Sequence, residues 1–532
     1  MIPVTITIDG RTISVPSGRT ILEAARELNI SIPTLCHLEG ADRFTSCMIC
    51  VVLEAASNRL LPSCSAPAAE GMQIETDGPR VREARKDALD FLLSEHLGDC
   101  EAPCRRACPA HMDIPLMIRQ IEDRRFEAAI RTVKKDIALP AVLGRICPAP
   151  CENGCHRRSH DAALSICALK RFVADVDLDR LLPFRPEAGP ASGKRVAIVG
   201  AGPAGLSAAY YLLLGGHACH VYDRNPRPGG MLRYGVPDSA LPKSVLDAEI
   251  ERIAAMGAEF LSGRMLGGDL RWEDLRTAYD AVVLTVGTID PAAFENAGLV
   301  LSRRGLAIDR ETFQTNLPGV FAGGNAVSES RLAIRAAAHG KDLAFSVDRY
   351  LETGTAEVPG ALFHSILGKL GDGEAEEFMK EADGRGRILP QGGPGKGFKE
   401  EEAVFESGRC FGCDCRKAAS CRLREYSESY RASRRRFTFA ERKRFQRNIQ
   451  HELVVYEPGK CLKCGACVRI TKKAGERLGL TFVGRGFDVR VETPFGEPLS
   501  EGLVHTAGAC VEACPTGAFS RRDRKGSGDD HV

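Results

Sequence analysis

The stretch VAIVGAGPAGLSAAYYLL, residues 196–213, decides the fold of the middle of the chain. A short run of apolar residues is followed by three glycines in a GxGxxG arrangement and then by a long run of apolar and small residues. This order is typical of a buried strand, a tight turn and a helix, the first unit of a parallel α/β domain. Gly200, Gly202 and Gly205 then serve the turn, the approach of a pyrophosphate and helix–strand packing. Asp223 ends the next strand, where a carboxylate can bond a ribose hydroxyl.

The residues after this unit carry a resemblance to a known family. GGMLRYGVPDSALPKSVLDAEIERI, which begins at Gly229, and LPGVFAGGNAV, residues 317–327, resemble the FAD domain in the small subunit of bacterial glutamate synthase. The resemblance implies a Rossmann-like fold that binds FAD. The residues it assigns to the cofactor are Gly200, Gly202, Gly205, Asp223, Gly230, Met231, Gly324 and Asn325. Asn325 departs from the family, which commonly has aspartate there, beside the flavin ribityl chain.

The two halves of this domain are joined by a short connection. The strand AVVLTVGT, residues 281–288, is followed after 32 residues by Val320 in the second motif. Flavoproteins that take electrons from a nicotinamide usually insert a second dinucleotide domain here, with its own glycine fingerprint. The interval contains no second fingerprint. The sequence therefore predicts an FAD domain, residues 191–353, without a place for NAD(P)H beside it.

Cysteine is the informative residue elsewhere, with 21 among 532 residues. Most fall into closely spaced groups, and the N-terminus MIPVTITIDGRTI lacks the features of a secretory signal. This combination indicates metal binding rather than disulfides. The composition is 44% hydrophobic and 27% charged with a net charge of +2, which gives no overall attraction to nucleic acid or membranes. We therefore expect a cytoplasmic protein without a membrane span.

The first 78 residues combine a hairpin with four spaced cysteines. Residues 3–8 and 11–15 alternate around Asp9-Gly10, and Thr20 with Glu23 forms the capping box of a helix. The cysteines that follow are Cys36, Cys47, Cys50 and Cys64. Thiolates on one loop can wrap a small iron–sulfur cluster, whereas the long first spacing fits zinc poorly. IPTLCH, CMICVV and EGMQIETDGPRVREARK resemble the β-grasp [2Fe-2S] domain of the respiratory NADH dehydrogenase large subunit and of iron-only hydrogenases.

Two further cysteine loops lie in a predicted helical domain, residues 79–190. HLGDCEAPCRRACPAHMDIP and RICPAPCENGC resemble the double-cluster domain shared by the glutamate synthase small subunit and dihydropyrimidine dehydrogenase. In that family two [4Fe-4S] clusters take ligands from both loops. The resemblance assigns Cys100, Cys104 and Cys155 to one cluster and Cys108, Cys147 and Cys151 to the other.

Each of these two clusters lacks one cysteine. His96 is a candidate for the first, because a histidine at this place ligates a [4Fe-4S] cluster in the NADH dehydrogenase subunit; a surface histidine at a helix end is the alternative. Cys167, in the helix SICALKRF, is the candidate for the second. The family places a non-cysteine ligand about one helical turn later, near Lys170. Cys167 and Lys170 therefore share one face of the helix.

Another group, Cys410, Cys413, Cys415 and Cys421, lies in a module predicted over residues 406–450. Four such cysteines can hold zinc or a [4Fe-4S] cluster, and the neighbouring iron–sulfur motifs favour iron. The basic run RASRRRFTFAERKRFQRN follows, with Phe437, Phe439 and Phe445 interleaved. It is compatible with a nucleic-acid surface, although a solvated or partner-facing segment is the commoner meaning. Before this module, residues 354–405 are rich in Gly, Glu and Lys and are interpreted as a linker.

The last module, residues 451–532, has cysteines with ferredoxin spacing. Cys461, Cys464, Cys467 and the distant Cys514 form the predicted ligand set of one [4Fe-4S] cluster. A second cluster would need cysteines where Thr471, Val504 and Ala507 stand, so we expect Cys510 to have no cluster. The order of motifs resembles the ferredoxin-like double-cluster domain of the NADH dehydrogenase large subunit.

All recognisable parts of the chain carry electrons, and no Ser/His/Asp set or HExxH motif stands out. The sequence predicts a multidomain α/β and α+β protein, an electron-transfer subunit with FAD, one [2Fe-2S] cluster and three to four [4Fe-4S] clusters. Its expected partners are a nicotinamide-oxidising flavin and iron–sulfur subunit and a terminal catalytic subunit such as a formate dehydrogenase or hydrogenase, with ferredoxin as a further candidate. The alternatives are a self-sufficient NAD(P)H-dependent reductase of the glutamate synthase small-subunit kind and a zinc- and nucleic-acid-binding protein.

Overall fold

The computed structural model describes residues 2–289, 294, 297–357, 362–393, 395–437 and 442–523. The chain forms two compact units, each assembled from separate segments. Unit 1 consists of Met1–Glu101, Ala361–Glu381 and Cys413–Val532, and unit 2 of Ala102–Gly360 and Ala382–Gly412. Within the described ranges, no helix combines the length and the apolar character that crossing a membrane requires.

Unit 1 begins with a five-stranded mixed sheet. Its elements are β1 (Pro3–Ile8), β2 (Arg11–Pro16), α1 (Ile21–Glu27), β3 (Val51–Glu54), β4 (Arg59–Pro62) and β5 (Gln73–Glu75), followed by α2 (Pro79–Ser94). The strand order is β2-β1-β5-β3-β4; β1 pairs parallel with β5, and the other pairs are antiparallel. The predicted hairpin is confirmed, and so is the capping box, in which the Glu23 N–H donates to Thr20 Oγ1 at 3.2 Å. The aliphatic core of this sheet includes Cys50 and Cys64.

Unit 2 opens with a group of short helices. They are α3 (Pro103–Ala107), α4 (Ile114–Glu122), α5 (Phe126–Asp136), α6 (Pro140–Ile146), α7 (Pro150–Asn153) and α8 (Ile166–Leu178). Proline stands in the first turn of α3, α4, α6 and α7, where its fixed φ favours helix initiation. The helices enclose one core that includes Cys108 and Cys151. Both cysteine loops of the helical part therefore border the same core.

The second part of unit 2 is a parallel sheet flanked by helices. Its elements are β6 (Arg195–Val199), α9 (Pro203–Leu214), β7 (Ala218–Asp223), α10 (Met231–Tyr234), α11 (Lys243–Ala255), β8 (Glu259–Ser262), α12 (Trp272–Ala278), β9 (Ala281–Leu284), β10 (Leu301–Ser302), β11 (Gly305–Leu306), β12 (Val320–Ala322) and α13 (Ala333–Thr353). The order β12-β9-β6-β7-β8 is parallel throughout. The strand, turn and helix predicted for residues 196–213 are confirmed. Between β9 and the adjacent β12, the strands that the structure describes are those of the small β10–β11 hairpin.

The structure differs from the sequence interpretation over residues 354–405. One helix, α14 (Glu374–Met379), lies within this segment and belongs to unit 1. A second helix, α15 (Glu400–Ser407), begins in the segment and belongs to unit 2. Phe378 and Phe398 are buried, although they stand in a sequence rich in Gly, Glu and Lys. Scattered aromatic residues anchor the segment to cores built by distant parts of the chain, which its composition conceals. A linker is therefore a poor description of these residues.

The C-terminal segment completes unit 1. Its elements are α16 (Arg422–Ser429), β13 (Val454–Tyr456), α17 (Ala466–Ala474), β14 (Thr481–Val483), β15 (Arg490–Glu492), α18 (Leu499–Gly502), α19 (Ala507–Ala513) and β16 (Phe519–Arg521). β13 pairs antiparallel with β16, and β14 with β15. In the basic run, Phe437 stacks on Phe91 with ring centroids 3.9 Å apart and Phe445 is buried against Phe378, while Phe439 lies outside the described residues. Burial withdraws Phe445 from contact with bases, whereas the stack of Phe437 on Phe91 lies at the surface.

Candidate cofactor sites

The glycine-rich turn between β6 and α9 leaves a helix N-terminus open. A Cβ at Gly200 would collide with the Thr285 carbonyl oxygen, and one at Gly205 with the Gly200 carbonyl oxygen. At Gly202, the N-cap of α9, nothing described lies within 4 Å of the corresponding position, and no side chain caps the helix. Backbone N–H groups at such an end attract phosphate, so the turn fits a pyrophosphate.

The Asp223 carboxylate is buried at the end of β7. Its Oδ2 accepts from the Ala201 N–H at 2.7 Å, and its Oδ1 accepts from the backbone and side-chain nitrogens of Asn225, both at 2.8 Å. These bonds hold the glycine turn against β7. A carboxylate has further lone pairs, so the same group retains capacity for a ribose hydroxyl.

The other predicted flavin residues border the same turn. Gly230 has a φ of +49°, and a Cβ there would lie 2.8 Å from the Gly202 Cα. Gly324 has a φ of +65°, and a Cβ there would lie 2.9 Å from an alanine side chain of α9. Met231 is exposed, and Asn325 Oδ1 accepts a backbone N–H at 3.1 Å. The two glycines are thus required by close packing around the predicted phosphate position.

Four cysteines converge beside the N-terminal sheet. The four, Cys36, Cys47, Cys50 and Cys64, are all buried. The Cys36 sulfur interacts with the sulfurs of Cys47 and Cys64, and the Cys64 sulfur also with that of Cys50. These interactions lower the pKa of Cys36 and raise the pKa values of Cys47 and Cys64. Buried soft ligands in mutual contact fit a small iron–sulfur cluster.

A pocket among the helices of unit 2 is lined by four cysteines, Cys108, Cys147, Cys151 and Cys167. Interaction with the Cys167 sulfur lowers the pKa of Cys147 to about 6. Lys170 lines the pocket one turn further along α8; burial lowers its pKa, but the neighbouring sulfurs raise it by more. The predicted set is therefore together, with Lys170 as a buried positive charge beside it.

Cys104, Cys155 and Cys410 border one core of unit 2. Two arginines without exposed surface lie beside them in sequence, Arg157 after Cys155 and Arg409 before Cys410. Arg157 donates to the Arg409 carbonyl oxygen at 2.7 Å, and both guanidinium groups donate to the Asp161 carboxylate at 2.9 Å. This network ties the Cys155 loop to Cys410, which the sequence analysis assigned to another module.

Cys100 lies against Cys415 and Cys421 in unit 1. The Cys415 N–H donates to the Cys100 carbonyl oxygen at 3.2 Å. Burial raises the pKa of Cys421 to about 12, with contributions from Cys415 and Cys100. His96 is only 8% exposed, so it is not a surface histidine, and its Nδ1 has no hydrogen-bond partner among the described groups.

These neighbours differ from the sequence expectation in two ways. The resemblance assigns Cys100 to a cluster with Cys104 and Cys155, whereas the structure places its neighbours in the C-terminal half of the chain. Of the predicted group Cys410–Cys421, Cys410 belongs to unit 2 and the other three cysteines to unit 1, to which the chain returns at Cys413. Local spacing cannot reveal that four nearby cysteines belong to two units.

A pocket in the C-terminal segment is lined by the four predicted cysteines, Cys461, Cys464, Cys467 and Cys514. Burial raises the pKa of Cys461 to about 11 and that of Cys464 to about 12. Cys510 has no exposed surface and belongs to the adjoining apolar core, with its sulfur 4.0 Å from the Cys467 carbonyl oxygen. Cys510 does not line this pocket, but its sulfur interacts electrostatically with those of Cys467 and Cys514, so its lack of a cluster stays a prediction.

Sequence reasoning missed two basic residues near these sulfurs. Lys460, 3% exposed, forms an ion pair with Glu457; burial lowers its pKa, but Cys415 and Glu457 raise it by more. Arg469 donates to the carbonyl oxygens of Cys36 at 2.6 Å and Cys464 at 3.4 Å. Both residues stand close to cysteines in sequence, but basic residues are too common for that to single them out.

Across the part of the chain that the structure describes, no three His, Cys, Asp or Glu side chains are placed to hold a single metal ion.

Three family models match separate parts of the chain. Residues 2–79 match a 2Fe-2S iron-sulfur cluster binding domain, residues 95–181 the 4Fe-4S cluster domain II of dihydropyrimidine dehydrogenase, and residues 198–252 an NAD(P)-binding Rossmann-like domain. The chain combines iron–sulfur and nucleotide-binding domains. These matches confirm the resemblances on which the sequence analysis depends for the N-terminal, helical and Rossmann-like regions.

Curated relatives are oxidoreductase subunits. The chain is 34% identical over 347 residues to the NADP(+)-dependent formate dehydrogenase subunit beta of Moorella thermoacetica, covering 56% of this chain and 49% of that protein. It is 36% identical over 219 residues to the NADPH-Fe(3+) oxidoreductase subunit beta of Geobacter sulfurreducens, covering 39% and 32%. It is 41% identical over 189 residues to the NAD-dependent dihydropyrimidine dehydrogenase subunit PreT of Salmonella typhimurium, covering 35% and 46%. The chain thus spans half or less of the length of each of these relatives.

Proposed function

We propose that this protein is an electron-transfer subunit that relays electrons through FAD and several iron–sulfur clusters within a multisubunit NAD(P)-linked oxidoreductase. One observation carries the proposal: cysteines of three candidate sites belong to one hydrophobic cluster in unit 1. They are Cys36 and Cys47 of the N-terminal loop, Cys464 of the C-terminal pocket, and Cys421. Buried redox centres in close succession would suit one-electron transfer.

Arg469 supports this arrangement because it joins two of the sites. Its guanidinium donates to the backbone of Cys36 in one and of Cys464 in the other, and the sulfurs of these residues interact electrostatically. The same guanidinium lies over the Phe44 ring, 5.6 Å from the ring centroid. This cation–π contact further restricts the Arg469 side chain. A guanidinium held on both loops keeps the separation of the two sites constant.

The glycine turn of unit 2 would hold FAD. The open N-terminus of α9 at Gly202 suits the pyrophosphate, and Asp223 suits a ribose hydroxyl. Gly230, Met231, Gly324 and Asn325 remain predicted flavin contacts. Bound FAD supplies exchange between two-electron and one-electron carriers.

The cysteine sites would hold the clusters. We infer a β-grasp [2Fe-2S] domain at the N-terminus and a ferredoxin-like [4Fe-4S] domain at the C-terminus, with a further [4Fe-4S] cluster in the unit 2 pocket. The boundaries 1–78, 79–190, 191–353 and 451–532 stay predictions. A Cys410–Cys421 module that holds iron or zinc stays a prediction, although Cys415 and Cys421 also have Cys100 as a neighbour. Reduced cysteines in this number suit the cytoplasm.

The partners are proposed from the relatives, which are named as subunits of oxidoreductases. A nicotinamide-oxidising flavin and iron–sulfur subunit would deliver electrons, and a terminal catalytic subunit or ferredoxin would exchange them. The alternative is a self-sufficient NAD(P)H-dependent reductase. The absence of a second glycine fingerprint from the sequence favours the subunit.

The test is reduction of the anaerobically purified full-length protein. It should contain about one FAD, judged by the single glycine fingerprint. Reduced methyl viologen should bleach the flavin and cluster absorbance, whereas NADH and NADPH should not bleach it at catalytic rates. Rapid bleaching by either nucleotide would replace the proposal with the self-sufficient reductase, and failure of viologen to reduce the protein would end both.

A further inference from the structure

We propose that His96, Cys100, Cys415 and Cys421 form a [4Fe-4S] site in unit 1 that no local sequence motif encodes. Its ligands come from the two ends of the unit 2 insertion: Cys100 stands just before the chain leaves unit 1 at Glu101, and Cys415 just after it returns at Cys413. The proposal concerns iron binding, so it is measured independently of the proposed electron-transfer function.

Backbone hydrogen bonds fix the three cysteines relative to one another. Besides the bond between Cys415 and Cys100, the Cys100 N–H donates to the Ser365 carbonyl oxygen at 3.1 Å, and the Ser365 N–H points back at the Cys100 sulfur at 3.3 Å. Amide bonds to sulfur are a means by which proteins stabilise cluster thiolates. Cys421 is buried, with its sulfur 3.8 Å from the Pro515 carbonyl oxygen.

Two glycines leave space around this site. A Cβ at Gly517 would collide with the Cys415 sulfur, and a Cβ at Gly98 would lie 2.6 Å from Cε of Lys460. Gly517 has an ordinary φ. A side chain at this position would therefore be excluded by the contact with Cys415 and not by the backbone conformation. The two glycines therefore allow the side chains of Cys415 and Lys460 to lie in one confined volume, beside Pro515 and the C-terminal pocket.

Basic side chains surround the same volume, and two of them, Lys460 and Arg424, are paired with the carboxylates of Glu457 and Glu101. The Lys460 ammonium and the Arg424 guanidinium both interact electrostatically with the Cys100 sulfur, and Cys415 interacts with Lys460. Arg434 interacts with Cys100 as well. A cluster held by three thiolates is anionic, and a buried anion needs nearby cations to offset its desolvation.

His96 supplies the fourth ligand. It is buried four positions before Cys100, and its Nδ1 has no hydrogen-bond partner, which is costly for a buried polar atom. The backbone beside it is held by the Leu97 N–H, which donates to the Gly459 carbonyl oxygen at 2.7 Å, next to Lys460. Both His96 and Cys415 therefore stand beside Lys460, and coordination accounts for the unpartnered nitrogen.

The experiment compares cysteine variants of the full-length protein purified anaerobically. Cys100→Ala, Cys415→Ala and Cys421→Ala should each lose about four irons and the same [4Fe-4S] signal in EPR. The double variant Cys100→Ala/Cys421→Ala should lose no more iron than either single variant. Cys410→Ala should remove a different signal. If Cys100→Ala and Cys410→Ala remove one common signal, or if Cys100→Ala leaves every signal intact, the proposed site is wrong.

His96 has its own pair of variants. His96→Ala should remove or shift the signal that Cys100→Ala removes, whereas His96→Cys should keep the cluster at a lower potential, because thiolate replaces neutral imidazole. An unchanged spectrum in both would exclude His96 as the ligand. An unchanged FAD content and [2Fe-2S] signal establish in each variant that the protein has folded.

Gly517→Ala tests the confined volume without removing a ligand. We expect it to weaken or shift the same EPR signal, while Gly508→Ala, where an added Cβ meets nothing within 4 Å, should be silent. Equal spectra for these two variants would contradict the placement of Cys415. Normal iron content in a protein that viologen cannot reduce would contradict the proposed function and leave this site standing.

Discussion

At the residue scale, two thiols four positions apart differ in whether they line the C-terminal pocket. Cys514 lines the C-terminal pocket with three other cysteines, whereas Cys510 lies inside the apolar core. Cys514→Ala should therefore abolish one [4Fe-4S] cluster, because three thiolates and a methyl group cannot replace four thiolates. Cys510→Ala should keep every cluster and lose about 1 kcal/mol of stability from the lost sulfur packing.

Iron analysis and EPR of the two variants check this prediction, and thermal unfolding of Cys510→Ala measures the packing cost. Equal loss of iron from both variants would show that the ligand set is wrong. The residue scale is also where sequence reasoning was most productive: four cysteines in the N-terminal loop and four in the C-terminal segment were grouped by spacing, and the structure brings each group together. It was least productive at Arg157 and Arg409, because a buried arginine has no signature in a single sequence.

At the scale of elements, α9 begins at the glycine turn and packs against α13. Substitutions at these two places distinguish a role in packing from a role in cofactor binding. A Cβ at Gly340 of α13 would collide with the Ala204 carbonyl oxygen of α9, whereas a Cβ at Gly202 would meet open space. Gly340→Ala should destabilise the FAD-free protein by about 1–3 kcal/mol, the usual cost of overpacking. Gly202→Ala should change that stability by only about 0.5 kcal/mol and still lower FAD content, because the methyl group stands where the pyrophosphate would approach.

Chemical unfolding of the FAD-free variants and their FAD content after reconstitution distinguish the two effects. Full FAD content in Gly202→Ala would show that the pyrophosphate does not bind at this turn. The turn itself was predictable, because the glycines, the apolar strand and the acid at the end of β7 are local features. The helices within residues 354–405 were not, because the residues that bury their apolar side chains come from other segments.

At the scale of the whole molecule, the insertion of unit 2 explains why no local motif predicts the site proposed for Cys100, Cys415 and Cys421. Cys100 and Cys415 are neighbours across the residues Ala102–Gly360 and Ala382–Gly412. If the proposed ligand set is right, the insertion splits it into two incomplete motifs. By spacing and resemblance, Cys100 is then grouped with the helical loops, and Cys415 and Cys421 with Cys410. Where the loops of one set belong to a known family, as for Cys514 with Cys461, Cys464 and Cys467, resemblance predicts the set; where no family pairs the loops, as for Cys100 and Cys415, spacing alone does not.

The arrangement of unit 1 makes a final prediction about how its centres interact. Arg469 holds the Cys36 and Cys464 loops together, so the N-terminal and C-terminal clusters should be close enough for their electron spins to couple when both are reduced. In the fully reduced protein the [2Fe-2S] EPR signal should be broadened or split at low temperature. Cys514→Ala removes the second spin and should sharpen that signal without moving its g values, whereas Cys510→Ala should leave the broadening unchanged. A [2Fe-2S] signal that is equally narrow in all three proteins would show that the two centres are too far apart for a direct relay.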